Sequence, residues 1–150
     1  MADAGHMLML LRHGIAEDAA PGEADAERRL TGEGKRKLRG ETAEIVAVEH
    51  GIDESAVFTT AALAPAGDRD ALFTVLGSHT RAEGIVLVGH QPDLGELASV
   101  LLVGTPGLVQ LPFKKAGLAA ISVASLPPRT AGTLEFFVTP GQLRRIGRGG

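Results

Sequence analysis

Two short stretches of this sequence place chemically able side chains at the ends of apolar runs. Arg12-His13-Gly14 follows Met7-Leu8-Met9-Leu10-Leu11 directly, and Gly89-His90-Gln91-Pro92 follows Gly84-Ile85-Val86-Leu87-Val88. An apolar run of this length suits a buried strand and falls far short of the roughly 18–20 residues of a membrane span. Parallel strands are covered on both faces, so they read as unbroken apolar runs. Polar groups just beyond them lie at the carboxyl end of the sheet, where open α/β folds bind their ligands. A guanidinium there can hold an oxyanion. An imidazole there can attack as a nucleophile or shuttle a proton. Gly14 lets the backbone turn and lets a ligand come close.

If the two strands are neighbours, His13 and His90 meet at one end of the sheet. Arg12 and one of Arg28 or Arg29 can join them. That is a positive pocket with a nucleophile inside, suited to a phosphoryl group. His13 must be neutral to attack, and neighbouring cations disfavour its charged form. Attack on phosphorus would give a phosphohistidine that water then hydrolyses. The sequence has no His-Glu-x-x-His and no paired acids near these histidines, so the expected chemistry is metal-free, with no cofactor. His6, His50 and His79 stand in polar surroundings and are expected at the surface.

Composition narrows the classes. The 150 residues suit one domain spanning 1–150, and 44% apolar content is ordinary for a soluble globule. There is no cysteine, which excludes disulfides and thiolate catalysis and fits a cytoplasmic protein. No basic region followed by an apolar segment marks a secretory leader, and no apolar run is long enough for a membrane helix. The net charge of −3 leaves no general nucleic-acid footprint, and the lack of Trp and Tyr leaves few stacking platforms. Charge is uneven: residues 1–100 carry −8 and residues 101–150 carry +5, with Glu135 the single acid of the latter. A basic end can steer an acidic partner or simply be solvated.

The elements that must position the histidines follow in order. After the first strand, residues 16–27 read as an acidic loop. Thr31 is an N-cap for a helix to about Glu49, with Leu38, Ile45 and Val46 on one face and Gly51 as its stop. Arg28 and Arg29 precede that helix at its positive end, where cations are unfavourable unless an anion joins them or water solvates them. Ser55–Thr59 reads as a second strand. Residues 61–67 are a loop, Asp68 caps a short helix with Leu72, Val75 and Leu76 inward, and Gly77 closes it. After the strand Gly84–Val88, Asp93 and Glu96 form a capping-box pattern. Leu94, Leu97, Ala98, Leu101 and Leu102 then make a core-facing helical stripe, ended by Gly104. Leu118–Val123 and Thr133–Val138 read as strands joined by a hairpin-like link, so one of them runs antiparallel. Leu143–Ile146 is one basic turn. The order predicts an α/β fold with a mainly parallel open sheet and flanking helices.

Arg12-His13-Gly14 after a strand, Arg28 with Leu30-Thr31 and Gly34, and Gly89-His90-Gln91-Pro92 together resemble the histidine phosphatase superfamily. The short chain, the segment Lys114-Lys115-Ala116-Gly117-Leu118-Ala119 and the ending Phe136-Phe137-Val138-Thr139-Pro140 with Gln142-Leu143 resemble its SixA-type phosphohistidine phosphatases. The resemblance implies that His13 is the phosphorylated nucleophile, that Arg12 and Arg28 bind phosphate, and that His90 stabilises the transferring group. Of the two loop arginines, Arg28 matches because it stands three residues before Thr31 in the family's Arg-x-Leu-Thr pattern. The implied substrate is a phosphohistidine on a signalling protein, such as a phosphotransfer domain; a small phosphate ester is the other candidate.

The departure from that pattern is as informative. The family carries Ser-Pro-x-x-Arg-Ala-x-x-Thr, a helix and an edge strand after its second strand, and that Arg also binds phosphate. Here Phe58-Thr59-Thr60-Ala61-Ala62 runs straight into Leu63-Ala64-Pro65-Ala66-Gly67-Asp68, so one helix and one edge strand are expected to be absent, with the arginine. Losing an edge strand is survivable and would expose a sheet edge open to self-association. Arg69 is the nearest candidate to replace the arginine, against the simpler reading of a solvated helix-start residue. Glu17 and Asp18 are the nearest acids to the nucleophile, yet a phosphoramidate leaving group protonates easily and needs little help. The competing reading is a weakened or inactive relative that binds phosphorylated partners without turnover; a sugar-phosphate mutase is disfavoured by the short chain.

Overall fold

The computed structural model describes residues 5–13 and 51–149. Four strands form one sheet: β1 (His6–Arg12), β2 (Gly84–Gly89), β3 (Leu118–Val123) and β4 (Thr133–Val138), in spatial order β2-β1-β3-β4. With them come three helices among the described residues, α1 (Arg69–Gly77), α2 (Asp93–Val103) and α3 (Pro140–Arg148). β1 pairs parallel with β2 and antiparallel with β3, and β3 pairs antiparallel with β4. Three strands thus run one way and β3 runs against them, as its short link to β4 requires. Among the described residues, no helix is long and apolar enough to cross a membrane.

Burial follows the strand period. Leu8 and Leu10 are wholly buried on one face of β1, with Ile85 and Leu87 beside them on β2 and Ile121 and Ala119 on β3. Leu72 and Leu76 of α1 and Leu94, Leu97, Ala98 and Leu101 of α2 complete this core. The expected stripe of α2 is the packed one, and so is that of α1 at Leu72 and Leu76, whereas Val75 stays outside the core and Phe73 packs against it instead. Asp68 caps α1 as expected, accepting the Asp70 N–H. Gly104 ends α2 at φ +79°, a left-handed conformation that glycine adopts without strain, and donates to the Val100 carbonyl.

Three expectations are corrected. Ser55–Thr59 does not join the sheet: Glu54–Ala56 is a 3-10 turn, and the residues after it have no ladder partner. The Asp53 carboxylate accepts the Ser55 N–H at 3.0 Å and hooks the chain into that turn. Its pKa is held below the ordinary Asp value by these hydrogen bonds from Ser55. β propensity needs a partner strand to be realised. Without one, Phe58 lies exposed and stacked on the half-buried His79, with ring centroids 5.1 Å apart.

The second correction concerns Asp93. It is the first residue of α2, one place past the cap, and forms no capping box; Pro92 takes the cap position without a side-chain bond. The Gln91 Oε1 accepts the Gly95 N–H instead, at 2.8 Å. The third concerns the carboxyl end, where a full helix replaces a single turn. Thr139 and Gln142 form a reciprocal capping box, and Pro140 sits in the first turn, where it lacks only a spare N–H.

Between Thr59 and Arg69 the described chain holds one 3-10 turn, Ala61–Leu63, and neither strand nor α-helix. β2 has β1 as its single neighbour, so it forms an edge of the described sheet. This is the abbreviated α/β layout the sequence predicts. The helix expected from Thr31 to Glu49, His50 and both loop arginines lie outside the described residues.

One buried hydroxyl organises the long loop after α2. Ser99 is fully buried. Its Oγ donates to the Thr105 carbonyl at 2.6 Å and accepts the N–H groups of Leu108 and Val109 at 3.0 and 2.9 Å. Ser99→Ala leaves these backbone groups to find other partners, and we expect a loss of about 1–3 kcal/mol. A lowered urea midpoint at unchanged slope would show it; an unchanged midpoint would contradict the role of this hydroxyl.

Candidate active site

The two histidine motifs come together because their strands are neighbours. Arg12 pairs with Gly89 at the end of the β1–β2 ladder. The ladder then continues one bond further, the His13 N–H donating to the Gly89 carbonyl at 2.8 Å. His13 therefore lies against the residue immediately before His90, at the carboxyl end of two parallel strands. His13 is 7% exposed and the His90 side chain 19%. Both Nε2 atoms are buried. The His90 Nδ1 lies 3.2 Å from the Gln91 carbonyl, and its Nε2 lies 3.7 Å from Asp93 Oδ2, beyond hydrogen-bonding distance.

Arg12 is fixed from the β3 side. Its N–H donates to the Gly117 carbonyl at 3.0 Å, and its own carbonyl accepts the Ala116 N–H at 3.1 Å. Its guanidinium donates to the Phe113 carbonyl at 2.7 Å. All three contacts come from the tight turn before β3. That turn is closed by the Gly117 N–H on the Lys114 carbonyl at 2.7 Å. A Cβ at Gly117 would stand 2.8 Å from the Lys114 carbonyl oxygen, so the turn needs glycine there. The Phe113 ring is buried edge-on against Phe137 of β4, anchoring the turn to the core.

On the β2 side, a cleft of about 40 Å³ opens beside His90. Asp93 and Arg69 bring further charge to it, and Leu63, Leu72 and Leu94 are among its apolar walls. Asp93 Oδ2 accepts the Ala66 N–H at 2.8 Å, tying the loop before α1 to the start of α2. Arg69 meets Glu96 at 3.5 Å. Gln91 braces the same corner: besides holding Gly95, its Nε2 donates to the Leu111 carbonyl at 3.3 Å.

Of the residues singled out in the sequence, the structure brings His13 and His90 together and places Arg12 next to His13 in the chain. Arg28 lies outside the described residues. His6 is not a free surface group; its Nδ1 is 2.5 Å from the Ala82 carbonyl. The Phe113 carbonyl and the Gln91 brace have no sequence signature, because the first acts through backbone and the second through a contact 20 residues away. Asp93 was visible as an acid at a helix start, but its partner in the loop was not.

No protein-family model matches the chain. An uncharacterized protein of Picosynechococcus sp. is 31% identical over 161 aligned positions, which cover 89% of this chain and 96% of that one. The alignment is longer than the 150 residues of this chain, so the relative carries residues without a counterpart here. Among solved structures, the protein histidine phosphatase SixA in complex with tungstate superposes at a TM-score of 0.59 with 23% identity, covering 91% of this chain and 99% of that chain. The resemblance read from the motifs is thus matched by the architecture.

Asp93→Ala frees the loop at Ala66, whereas Asp93→Asn keeps an acceptor oxygen. We expect amide exchange at Ala66 and its neighbours to rise up to roughly tenfold in the first variant and much less in the second, as loss of one hydrogen bond implies. Equal exchange in all three proteins would mean that the tie does not hold the loop.

Proposed function

We propose that this chain, which belongs to the same family as the Picosynechococcus protein and has the histidine phosphatase fold of SixA, is a phosphatase working through a phosphohistidine at His13. The observation that carries the reading is the hydrogen bond from the His13 N–H to the Gly89 carbonyl, which sets His13 beside His90 at the ligand-binding end of the sheet. SixA was solved with tungstate, a tetrahedral oxyanion shaped like phosphate, and this supports a phosphoryl site in the fold.

In the proposed reaction a ring nitrogen of His13 donates its lone pair to phosphorus. The N–P bond forms as the bond to the leaving group breaks, and the leaving group takes up a proton. Water then attacks phosphorus, the N–P bond breaks, and inorganic phosphate departs. Arg12, with its guanidinium oriented by the Phe113 carbonyl, binds a phosphoryl oxygen. Arg28 is the second phosphate cation on the strength of its motif. His90 donates to the transferring group as charge builds on it. The substrate is a protein phosphohistidine, such as one on a phosphotransfer domain, or a small phosphate ester. A phosphoramidate leaving group accepts its proton readily, so no dedicated acid is required. The proposed chemistry asks for no metal, because the imidazole is itself the nucleophile and the arginines carry the phosphoryl charge. The cytoplasm is the proposed compartment.

Hydrolysis of an aryl phosphate in a chelator tests this. The wild-type chain should turn over, His13→Ala should fall to background, and His90→Ala should lose about 10²–10³ in rate, the usual cost of one transition-state donor. Turnover that survives in His13→Ala would refute the covalent route.

A further inference from the structure

The site at His13 has an anchored cation on one flank. Arg12 is tied to the turn before β3, on the β3 side of β1. On the opposite, β2 side, a second arginine, Arg69, lines the cleft beside His90. Several features present it there. Asp68 caps α1 one residue earlier, so Arg69 is the first residue of the helix. The Ala66 N–H is tied to Asp93, three residues after His90. Gly67 packs so closely that a Cβ would lie 2.4 Å from the Ala62 carbonyl oxygen. These ties hold the loop, and it delivers Arg69 to the wall of the cleft that His90 also lines.

The helix does not account for an arginine at this place, since a cation at the amino end opposes the dipole. Glu96 accounts for it only weakly. The pair is 3.5 Å apart, at the outer limit of a hydrogen bond, between side chains 36% and 46% exposed. An ion pair of that length and exposure is easily given up to a better anion. A phosphoryl group offers a planar guanidinium two oxygens at once.

We propose that Arg69 is a substrate-anion ligand of the His13/His90 site. It leaves Glu96 and binds a phosphoryl oxygen from the β2 side, across from Arg12. This rests on the phosphatase reading above and adds a residue to it. Among the described residues, Asp93 is the acid that lines the cleft, and Glu96, paired with Arg69 beside it, competes with the substrate for Arg69. Neutralising Glu96 should therefore strengthen anion binding.

The test pairs hydrolysis with binding. Arg69→Ala, Arg69→Lys and Glu96→Gln are compared with the wild type for kcat/KM on an aryl phosphate and for tungstate affinity by calorimetry. Circular dichroism melting first establishes that each variant is folded. If the wild type hydrolyses, Arg69→Ala should lower kcat/KM roughly 30- to 1,000-fold. Arg69→Lys should recover part of it, and Glu96→Gln should bind tungstate more tightly. Hydrolysis unchanged within twofold in Arg69→Ala would overturn the role of Arg69 while leaving the phosphatase reading intact. If the wild type does not hydrolyse, that reading fails and tungstate affinity decides. Weaker binding in Arg69→Ala supports the anion contact, and unchanged or absent binding overturns it. Should Arg69→Ala not fold, the same comparison is made on Arg69→Lys and Glu96→Gln, and failure of both to shift tungstate affinity overturns the proposal.

Discussion

The register of β1 against β2 is fixed by which leucines are buried, and the register decides where the histidines go. Leu8 and Leu10 point into the core beside Ile85 and Leu87. Slipping β1 by one residue would turn both leucines to the other face and bring Met7, Met9 and Leu11 inward. Both faces of β1 are apolar, so the cost of a slip is not lost burial but the repacking of the core around side chains of other shapes, typically about 1–3 kcal/mol. The same register pairs Arg12 with Gly89 and leaves the His13 N–H facing the Gly89 carbonyl. Apolar packing in the middle of the sheet thus sets His13 beside the residue before His90 at its end.

The surroundings of that end are held largely by backbone groups. Arg12 is oriented by the Phe113 carbonyl, and its own peptide by Ala116 and Gly117. The loop that delivers Phe113 is pinned near its start by Ser99 and braced in its middle by Gln91 through Leu111. On the other side, Asp93 links the helix after His90 to the loop before Arg69. Rigid backbone supports of this kind keep charged side chains aimed before any ligand arrives, which is what electrostatic stabilisation of a transferring group requires. These supports are in place although the described chain passes from Thr59 to α1 without an intervening strand and β2 pairs with β1 alone among the described strands.

Much of the fold was legible because its signals are local and strong. Apolar runs ending in polar motifs marked β1 and β2, and the helical stripes named most of the residues that pack, with Phe73 in place of Val75 on α1. The placement of His13 and His90 was legible because both follow apolar runs: it required that β1 and β2 be neighbours, and they are. Local propensity misled where tertiary partners decide. Val57-Phe58-Thr59 has strand-forming residues, but no strand lies beside it among the described residues. Asp93 looks like a cap in sequence, yet the cap position fell on Pro92 and the carboxylate went to Ala66. At the carboxyl end Gly141 and Gly147 weaken the helical pattern, so the sequence shows less than the full helix, although Thr139-x-x-Gln142 carries its start. Contacts made by carbonyl oxygens, such as that of Phe113, leave no trace in side-chain identity.

The central claim is that phosphorus passes through His13, and trapping the intermediate tests it most directly. The enzyme is mixed with a radiolabelled phosphoryl donor, quenched in base within milliseconds, digested and mapped. The account predicts label that is stable to base, labile to acid, and confined to the peptide containing residue 13. Label on a serine, threonine or aspartate, or an actively hydrolysing enzyme that never becomes labelled at His13 under any quench time, would contradict it.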